Sequence, residues 1–216
     1  MFSSLLTITL LMLLLAIPLV IQAKQFLHVH DGEALTLLQV SGVMASFVLA
    51  GSSLLLFGLH SGVSPLSVAK CLTLLAWGIP LVLLDLRQCW LPLRFTSGFW
   101  VTGVLFTLIP GNTLSWWEAL LGSGGMFLFL YAFYVGARWL RQGEDGFGLG
   151  DVHLIAALCA WLPWPLASLL SGCGFLLFII GAVLTQKRTQ PYAPWLFALL
   201  AGLAVCFPQL TLFGAL

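Results

Sequence analysis

Long apolar runs separated by short polar breaks fill almost the whole chain. Most runs hold close to the 20 or so residues that a helix needs to cross a membrane. The breaks are rich in Gly, Pro and charged residues, which end helices. The pattern predicts an all-α, polytopic transmembrane helical bundle of about eight spans, forming one membrane domain over residues 1–216. The predicted spans lie near residues 2–23, 37–59, 67–84, 96–109, 118–137, 152–164, 166–184 and 193–213.

The apolar stretch 152–184 is ambiguous in length. About 33 residues at 1.5 Å each make roughly 50 Å of helix, which is too long for one span and tight for two. Pro163-Trp164-Pro165 near its middle favours two short spans joined by an abrupt turn. The predicted spans 96–109 and 152–164 are shorter than the usual membrane-crossing length.

Composition supports a lipid environment and excludes several other classes. The chain is 61% hydrophobic and 7% charged, whereas soluble domains hold about 25% charged residues. A net charge of +1 without a basic stripe excludes nucleic acid as a partner. The segment 2–23 has no basic residues before it and only a poor cleavage site, so we expect a retained first span. The five cysteines are scattered without a C-x-x-C pair, so neither a disulfide framework nor a zinc site is expected.

The basic residues fall in alternate breaks of the eight-span pattern. Under the positive-inside rule these breaks are cytoplasmic and both termini lie outside. Only Lys70 lies near the opposite side. This arrangement places Asp85 and Asp151 at the same cytoplasmic boundary, about 66 residues apart in sequence. The basic residues in the predicted cytoplasmic breaks are Lys24, Arg87, Arg94, Arg138, Arg141, Lys187 and Arg188.

Two aspartates lie at the ends of apolar runs. An ionised Asp at bilayer depth costs roughly 2.5–3.5 kcal/mol, so each needs a reason to be there. Asp151 follows Gly148 and Gly150, whose lack of a Cβ lets another backbone approach closely. Two acids so placed suggest an acid/base pair. Taken alone, Asp85 is equally compatible with a helix-end residue in contact with water, and Asp151 with a helix N-cap after a loop.

Three segments together resemble one family. The first runs Asp85-Leu86-Arg87-Gln88-Cys89-Trp90-Leu91-Pro92-Leu93-Arg94-Phe95-Thr96. The second is Gly148-Leu149-Gly150-Asp151, followed by an Ala-rich span with Trp161 near its end. The third is Lys187-Arg188-Thr189-Gln190-Pro191-Tyr192-Ala193-Pro194-Trp195-Leu196, in which a Pro leads into the last apolar run. From about residue 67 onward the chain resembles the type IV prepilin leader peptidases, membrane aspartyl proteases of the Gly-x-Gly-Asp group.

The resemblance implies a membrane aspartic endopeptidase in the bacterial inner membrane. Asp85 and Asp151 are then the catalytic pair, and Gly148, Gly150 and His153 support it. The implied reaction removes a short basic leader from type IV prepilins or from pilin-like secretion subunits (pseudopilins) at the cytoplasmic face. No metal and no cofactor are implied, and the oligomeric state is left open.

The chain departs from the family pattern at three places. Leu93 replaces an acid after the Leu-Pro pair, and His153 replaces a basic residue two positions after the second Asp. Longer relatives carry a cytoplasmic segment with paired cysteines after the first span, associated with N-methylation of the product. The corresponding segment here, about Lys24 to Thr36, has no cysteine, so methyltransferase activity is not predicted.

Several alternatives remain open from the residues themselves. An inactive scaffold of a pilus or secretion assembly, or a transporter relaying protons through paired acids, would also be an apolar helical protein. The segment His28-Val29-His30-Asp31-Gly32-Glu33 has metal-ligand residue types, but such a sequence is also typical of a short wet loop. Arg87 and Arg94 are interpreted as topology-setting charges, and Trp161 as a packing or anchoring residue.

Overall fold

The computed structural model describes residues 2–140, 148–186 and 190–209. Across those ranges the chain forms eight α-helices and no strand, which confirms the all-α prediction. The predicted charges Arg141, Lys187 and Arg188 lie outside the described residues. The helices are α1 (Phe2–Val29), α2 (Leu37–Ser61), α3 (Pro65–Gln88), α4 (Leu93–Thr107), α5 (Trp116–Leu140), α6 (Leu149–Leu158), α7 (Trp164–Thr185) and α8 (Ala193–Cys206).

Five of the helices (α1, α2, α3, α5 and α7) are long and apolar enough to cross a membrane. The other three, α4, α6 and α8, have 15, 10 and 14 residues. At 1.5 Å per residue they are about 23, 15 and 21 Å long, short of the roughly 30 Å hydrocarbon core. The length of the helices therefore does not confirm the predicted count of eight spans.

Local sequence signals account for the bounds of α2 and α3. Thr36 caps α2 by accepting from the backbone of Gln39, whose side chain returns to the Thr36 N–H. Gly62 ends the helix in the left-handed conformation, with φ of 66°. Ser64 caps α3 with Pro65 in the first turn, where a missing N–H costs nothing.

The predicted break within 152–184 is confirmed, but it lies earlier than the proline pair. Helix α6 ends at Leu158, a turn covers residues 159–163, and α7 begins at Trp164. Pro165 then occupies the first turn of α7, where proline is tolerated. Helix α7 has 22 residues and covers the predicted span 166–184, so only the first of the two helices, α6, is short.

The chain divides into two compact units. Unit 1 comprises residues 1–90 and 173–216, and unit 2 comprises residues 91–172. In unit 1, α1 packs on α2 and α3, and α8 packs on the same two helices. Fully buried apolar side chains fill its interior: Met12, Leu54, Ile79, Leu83 and Leu196. This packing holds the end of α3 beside the beginning of α8.

In unit 2, α6 packs on α4 and α5 around the buried Trp161. The Trp161 indole N–H donates to the Phe99 carbonyl at 3.0 Å, and the two rings stack with centroids 5.3 Å apart. Gly103 faces the same indole, and a Cβ there would lie 2.8 Å from it. The interpretation of Trp161 as a packing residue is confirmed.

Candidate active site

Asp85 lies in the last turn of α3 and is buried, with 3% of its surface exposed. Its backbone carbonyl accepts the N–H of Cys89 at 2.8 Å, which closes the helix with Cys89 in the left-handed conformation. Its side-chain Oδ2 accepts the backbone N–H of Ala193 at 2.7 Å. The interpretation of Asp85 as a helix-end residue in contact with water is therefore wrong.

The partner of the Asp85 carboxylate is the N-terminus of α8. The first N–H groups of a helix have no partner within it, and Tyr192 at the N-cap position supplies no side-chain hydrogen bond. Asp85 supplies the missing acceptor for Ala193, and the backbone N–H of Tyr192 also donates to it. An anion at a helix N-terminus is favoured by the helix dipole by about 0.3–1 kcal/mol, and by more where it is partly buried.

Sequence reasoning missed this contact between Asp85 and α8. A weak signal was available, because α8 begins at Ala193-Pro194 without a Ser, Thr, Asp or Asn at its N-cap position. Such a helix start needs an acceptor from elsewhere in the fold. The sequence gives no indication that the acceptor is an acid 108 residues away.

Asp151 occupies the first turn of α6 and is half-buried. Gly148 is the N-cap residue, and its carbonyl accepts the Asp151 N–H at 3.0 Å. The alternative interpretation of Asp151 as the N-cap is therefore wrong by three positions. The Asp151 carboxyl lies over Gly148, since a Cβ on Gly148 would be 3.0 Å from its Oδ2. Gly148 therefore leaves room for that carboxyl group.

Gly150 allows a close approach of two backbones in unit 2. A Cβ at Gly150 would lie 2.7 Å from the Leu91 Cβ and 3.1 Å from the Leu91 carbonyl oxygen. The 2.7 Å distance is shorter than a Cβ contact allows, and the Leu91 backbone beside it cannot move aside cheaply. Gly150 thus fixes the start of α6 against the Leu91-Pro92 segment that precedes α4.

His153 is held by contacts within unit 2. Its Nδ1 lies 2.8 Å from the Leu149 carbonyl, one helical turn back. Its ring packs against Phe127 of α5 with centroids 5.1 Å apart. His153 therefore contributes to the packing of α6 on α5. It lies directly after the first turn of α6, which carries Asp151.

The connection between α1 and α2 lies beside the end of α3. Arg87 forms an ion pair with Glu33 at 2.6 Å, a contact that the topology interpretation of Arg87 did not include. The His30 ring stacks on Phe26 at 4.1 Å, and its Nδ1 lies 2.9 Å from the Phe26 carbonyl. Within residues 2–140, 148–186 and 190–209 no group of three or more His, Cys, Asp or Glu side chains could hold a metal ion.

The predicted site residues divide between the two units. Asp85 belongs to unit 1, whereas Gly148, Gly150, Asp151 and His153 lie together at the start of α6 in unit 2. The pairing of Asp85 with Asp151 stays a prediction.

Five membrane-length helices, with acids at the ends of two apolar helices, identify a multi-pass membrane protein. A family model described as the type IV leader peptidase family matches residues 72–186, a range that contains both acids. Because the match covers more than half of the chain, the chain belongs to the type IV leader peptidase family. This confirms the resemblance drawn from the three sequence segments.

Individual relatives agree with the family. A prepilin leader peptidase/N-methyltransferase of Aeromonas salmonicida is 34% identical over 131 residues, covering 57% of this chain and 44% of that protein. A type 4 prepilin-like proteins leader peptide-processing enzyme of Escherichia coli is 32% identical over 142 residues, covering 62% and 49%. Leader peptidase HopD of Salmonella typhimurium is 33% identical over 138 residues, covering 58% and 86%.

The chain spans about half the length of most of the curated relatives that it matches, such as the Aeromonas salmonicida and Escherichia coli proteins. No solved structure shows significant similarity to it.

Proposed function

We propose that this chain is an aspartic endopeptidase that removes the short basic leader from type IV prepilins or pseudopilins. The observation that carries the proposal is the family match over residues 72–186, because that range includes both Asp85 and Asp151. The relatives' names, prepilin leader peptidase and leader peptidase, support the same class of substrate. The proposed location is the bacterial inner membrane, with cleavage at the cytoplasmic face.

The proposed mechanism uses Asp85 and Asp151 as a pair, so units 1 and 2 together make one peptidase domain. Two adjacent carboxyl groups do not both ionise readily, and one therefore keeps a proton. The ionised group takes a proton from water, and the water oxygen attacks the scissile carbonyl carbon. The protonated group donates a hydrogen bond to the carbonyl oxygen as that atom gains charge. The C–N bond then breaks, and the departing amine takes up a proton from the pair.

The residues at the start of α6 have supporting roles in this proposal. Gly148 leaves room for the Asp151 carboxyl, and Gly150 holds the beginning of α6 against Leu91. His153 fixes the next turn of the helix through Phe127. A carboxyl group held in this way loses less rotational freedom when the substrate arrives.

The proposed topology has eight crossings, with the basic breaks on the cytoplasmic side. Helix α6 is too short to cross alone, but the turn that follows it is apolar, and Cys159, Ala160 and Trp161 are fully buried. Unwound backbone is tolerated at membrane depth only where protein covers it. Reporter fusions placed at the breaks test this topology. Fusions in the connections that follow α3 and α5 are expected to report a cytoplasmic location.

The direct test is co-expression with a prepilin from the same genome, followed by mass measurement of the prepilin N-terminus. Asp85→Asn and Asp151→Asn are each expected to abolish leader removal while the protein still inserts. Asp31→Asn is the matched control, because Asp31 is exposed and Asn adopts its φ of 52° readily. Full processing by either variant would reject Asp85 and Asp151 as the catalytic pair, whereas no processing by the wild-type chain would favour the scaffold alternative. The same spectrum reports whether the new N-terminus is methylated.

A crosslinking experiment tests the pair itself. Cysteines placed at positions 85 and 151, in a chain whose five native cysteines are serine, should react together with a short bifunctional thiol reagent. The control pairs the cysteine at 85 with one at Gly111, in the connection between α4 and α5. If the control crosslinks and the 85/151 pair does not, the two acids do not act as a pair.

A further inference from the structure

The last turn of α3, which carries Asp85, is held from two sides within unit 1. On one side lies α8, whose Ala193 N–H donates to the Asp85 carboxylate at 2.7 Å. On the other side lies the connection between α1 and α2, residues 30–36. The last carbonyls of a helix have no partner within it, so a helix end frays unless tertiary contacts hold it. The contacts of this connection therefore determine how firmly the turn with Asp85 is fixed.

The connection and the end of α1 lie directly against the residues that follow Asp85. Gly32 faces Gln88, the last residue of α3, and a Cβ at Gly32 would lie 2.7 Å from the Gln88 Nε2. The Phe26 ring of α1 contacts the Trp90 ring with centroids 5.5 Å apart. These contacts place the connection on the end of α3 without any charge.

The charged contact is the ion pair between Glu33 and Arg87. Their side chains approach to 2.6 Å, with Arg87 27% exposed and Glu33 72% exposed. The Arg87 Nε is buried and has no hydrogen-bond partner in the part of the chain that the structure describes. Arg87 lies inside the turn that the Asp85 carbonyl closes by accepting the Cys89 N–H at 2.8 Å. Glu33 therefore supplies the counter-charge for a largely covered cation in the same helical turn as Asp85.

We infer that Glu33 is a positioning residue for Asp85. Its ion pair with Arg87 holds the last turn of α3, and with it the Asp85 carboxyl group, in the orientation that cleavage requires. This role rests on the function proposed above, in which Asp85 is catalytic. A misplacement of about 1 Å at a reacting group lowers a rate strongly, so a contact that adds little stability still controls the rate.

The first experiment measures cleavage of a prepilin peptide by the full chain in nanodiscs, with rates expressed per mole of folded protein. Glu33→Gln removes the charge and keeps the shape of the side chain, and Asp31→Asn removes an exposed charge from the same connection. Because Glu33 is largely exposed, Glu33→Gln is expected to lower kcat by about two- to fivefold with KM unchanged. Asp31→Asn is expected to change neither. Equal kcat values for the two variants, or a raised KM with kcat unchanged, would overturn the positioning role.

A charge exchange tests whether the two residues act as a pair. Glu33→Lys places two cations together and is expected to lower kcat more than Glu33→Gln does. Combining Glu33→Lys with Arg87→Glu restores the pair and leaves the number of basic residues in the predicted cytoplasmic breaks unchanged. The double variant is expected to recover much of the lost kcat. A double variant as slow as Glu33→Lys alone would overturn the pairing.

The third experiment is independent of cleavage and measures amide hydrogen exchange of residues 86–90 in nanodiscs. Glu33→Gln is expected to speed this exchange by about two- to fivefold, while α2 and the Asp31→Asn control remain as in the wild type. Unchanged exchange in Glu33→Gln would overturn the hold on α3. Faster exchange in Glu33→Gln together with absent cleavage by the wild type would instead refute the peptidase function and leave the hold on α3 intact.

Discussion

Asp85 accepts a hydrogen bond at the start of α8 and is also the proposed catalytic acid, and substitution by Asn or by Ala distinguishes the two roles. Asn keeps a side-chain carbonyl oxygen that accepts the Ala193 N–H, but it cannot exchange a proton with water. Ala removes both the acid and the acceptor. We therefore expect both variants to lose leader cleavage, and only Asp85→Ala to lose stability as well.

The magnitude follows from the hydrogen bond at the start of α8. Ala193 is fully buried, so without Asp85 its N–H would have no acceptor. Leaving a buried donor unsatisfied costs about 1–3 kcal/mol, whereas exchanging a charged acceptor for a neutral one costs about 1 kcal/mol. Asp85→Ala is therefore expected to be less stable than Asp85→Asn by up to about 2 kcal/mol. For a chain of this length that difference lowers Tm by up to about 8 °C.

The assay combines thermal unfolding in detergent with mass measurement of a co-expressed prepilin. Asp31→Asn serves as the reference in both assays, and its stability and cleavage are expected to be close to wild type. Equal Tm values for Asp85→Asn and Asp85→Ala would refute the capping role of Asp85. Cleavage by Asp85→Asn at the wild-type rate would refute the catalytic role and leave the cap intact.

Three further predictions concern the residues around the two acids. Gly150→Ala should lower stability by about 1–3 kcal/mol through the clash with Leu91, whereas Gly124→Ala, with open space around its Cβ, should not; equal Tm values would contradict this. Cys89→Gly should raise stability by up to about 1 kcal/mol in the same unfolding assay, because Cys89 has a left-handed φ of 49°, and a lower Tm would disprove the strain. His153→Lys should retain leader processing, and its loss without loss of insertion would assign His153 a specific role.

The helices themselves were largely predictable from the sequence. The capping residues Thr36 and Ser64 start α2 and α3 as local signals predict, and Gly62 ends α2. The break before α7 was predictable as well, although its position was not, because Pro165 is accepted in the first turn of a helix. These features depend on neighbours within a few residues, which a linear pattern contains.

The candidate site was predictable in its acids and not in their surroundings. The acids Asp85 and Asp151 were identified from their positions at the ends of apolar runs and from the Gly-Leu-Gly-Asp motif. Their interpretation as ordinary helix-end residues was corrected by burial in one case and by the Gly148 cap in the other. Neither correction was available from the sequence, because burial depends on which helices pack together.

By itself, the sequence determined that this protein is an all-helical membrane protein of one peptidase family, since hydropathy, helix caps and motifs are local properties. Tertiary structure decided that Asp85 accepts a hydrogen bond at the start of α8 and that Gly150 packs closely against Leu91. Each of these contacts joins residues far apart in the chain. Their geometry follows from close packing of whole helices, in which one missing Cβ determines how near two backbones come.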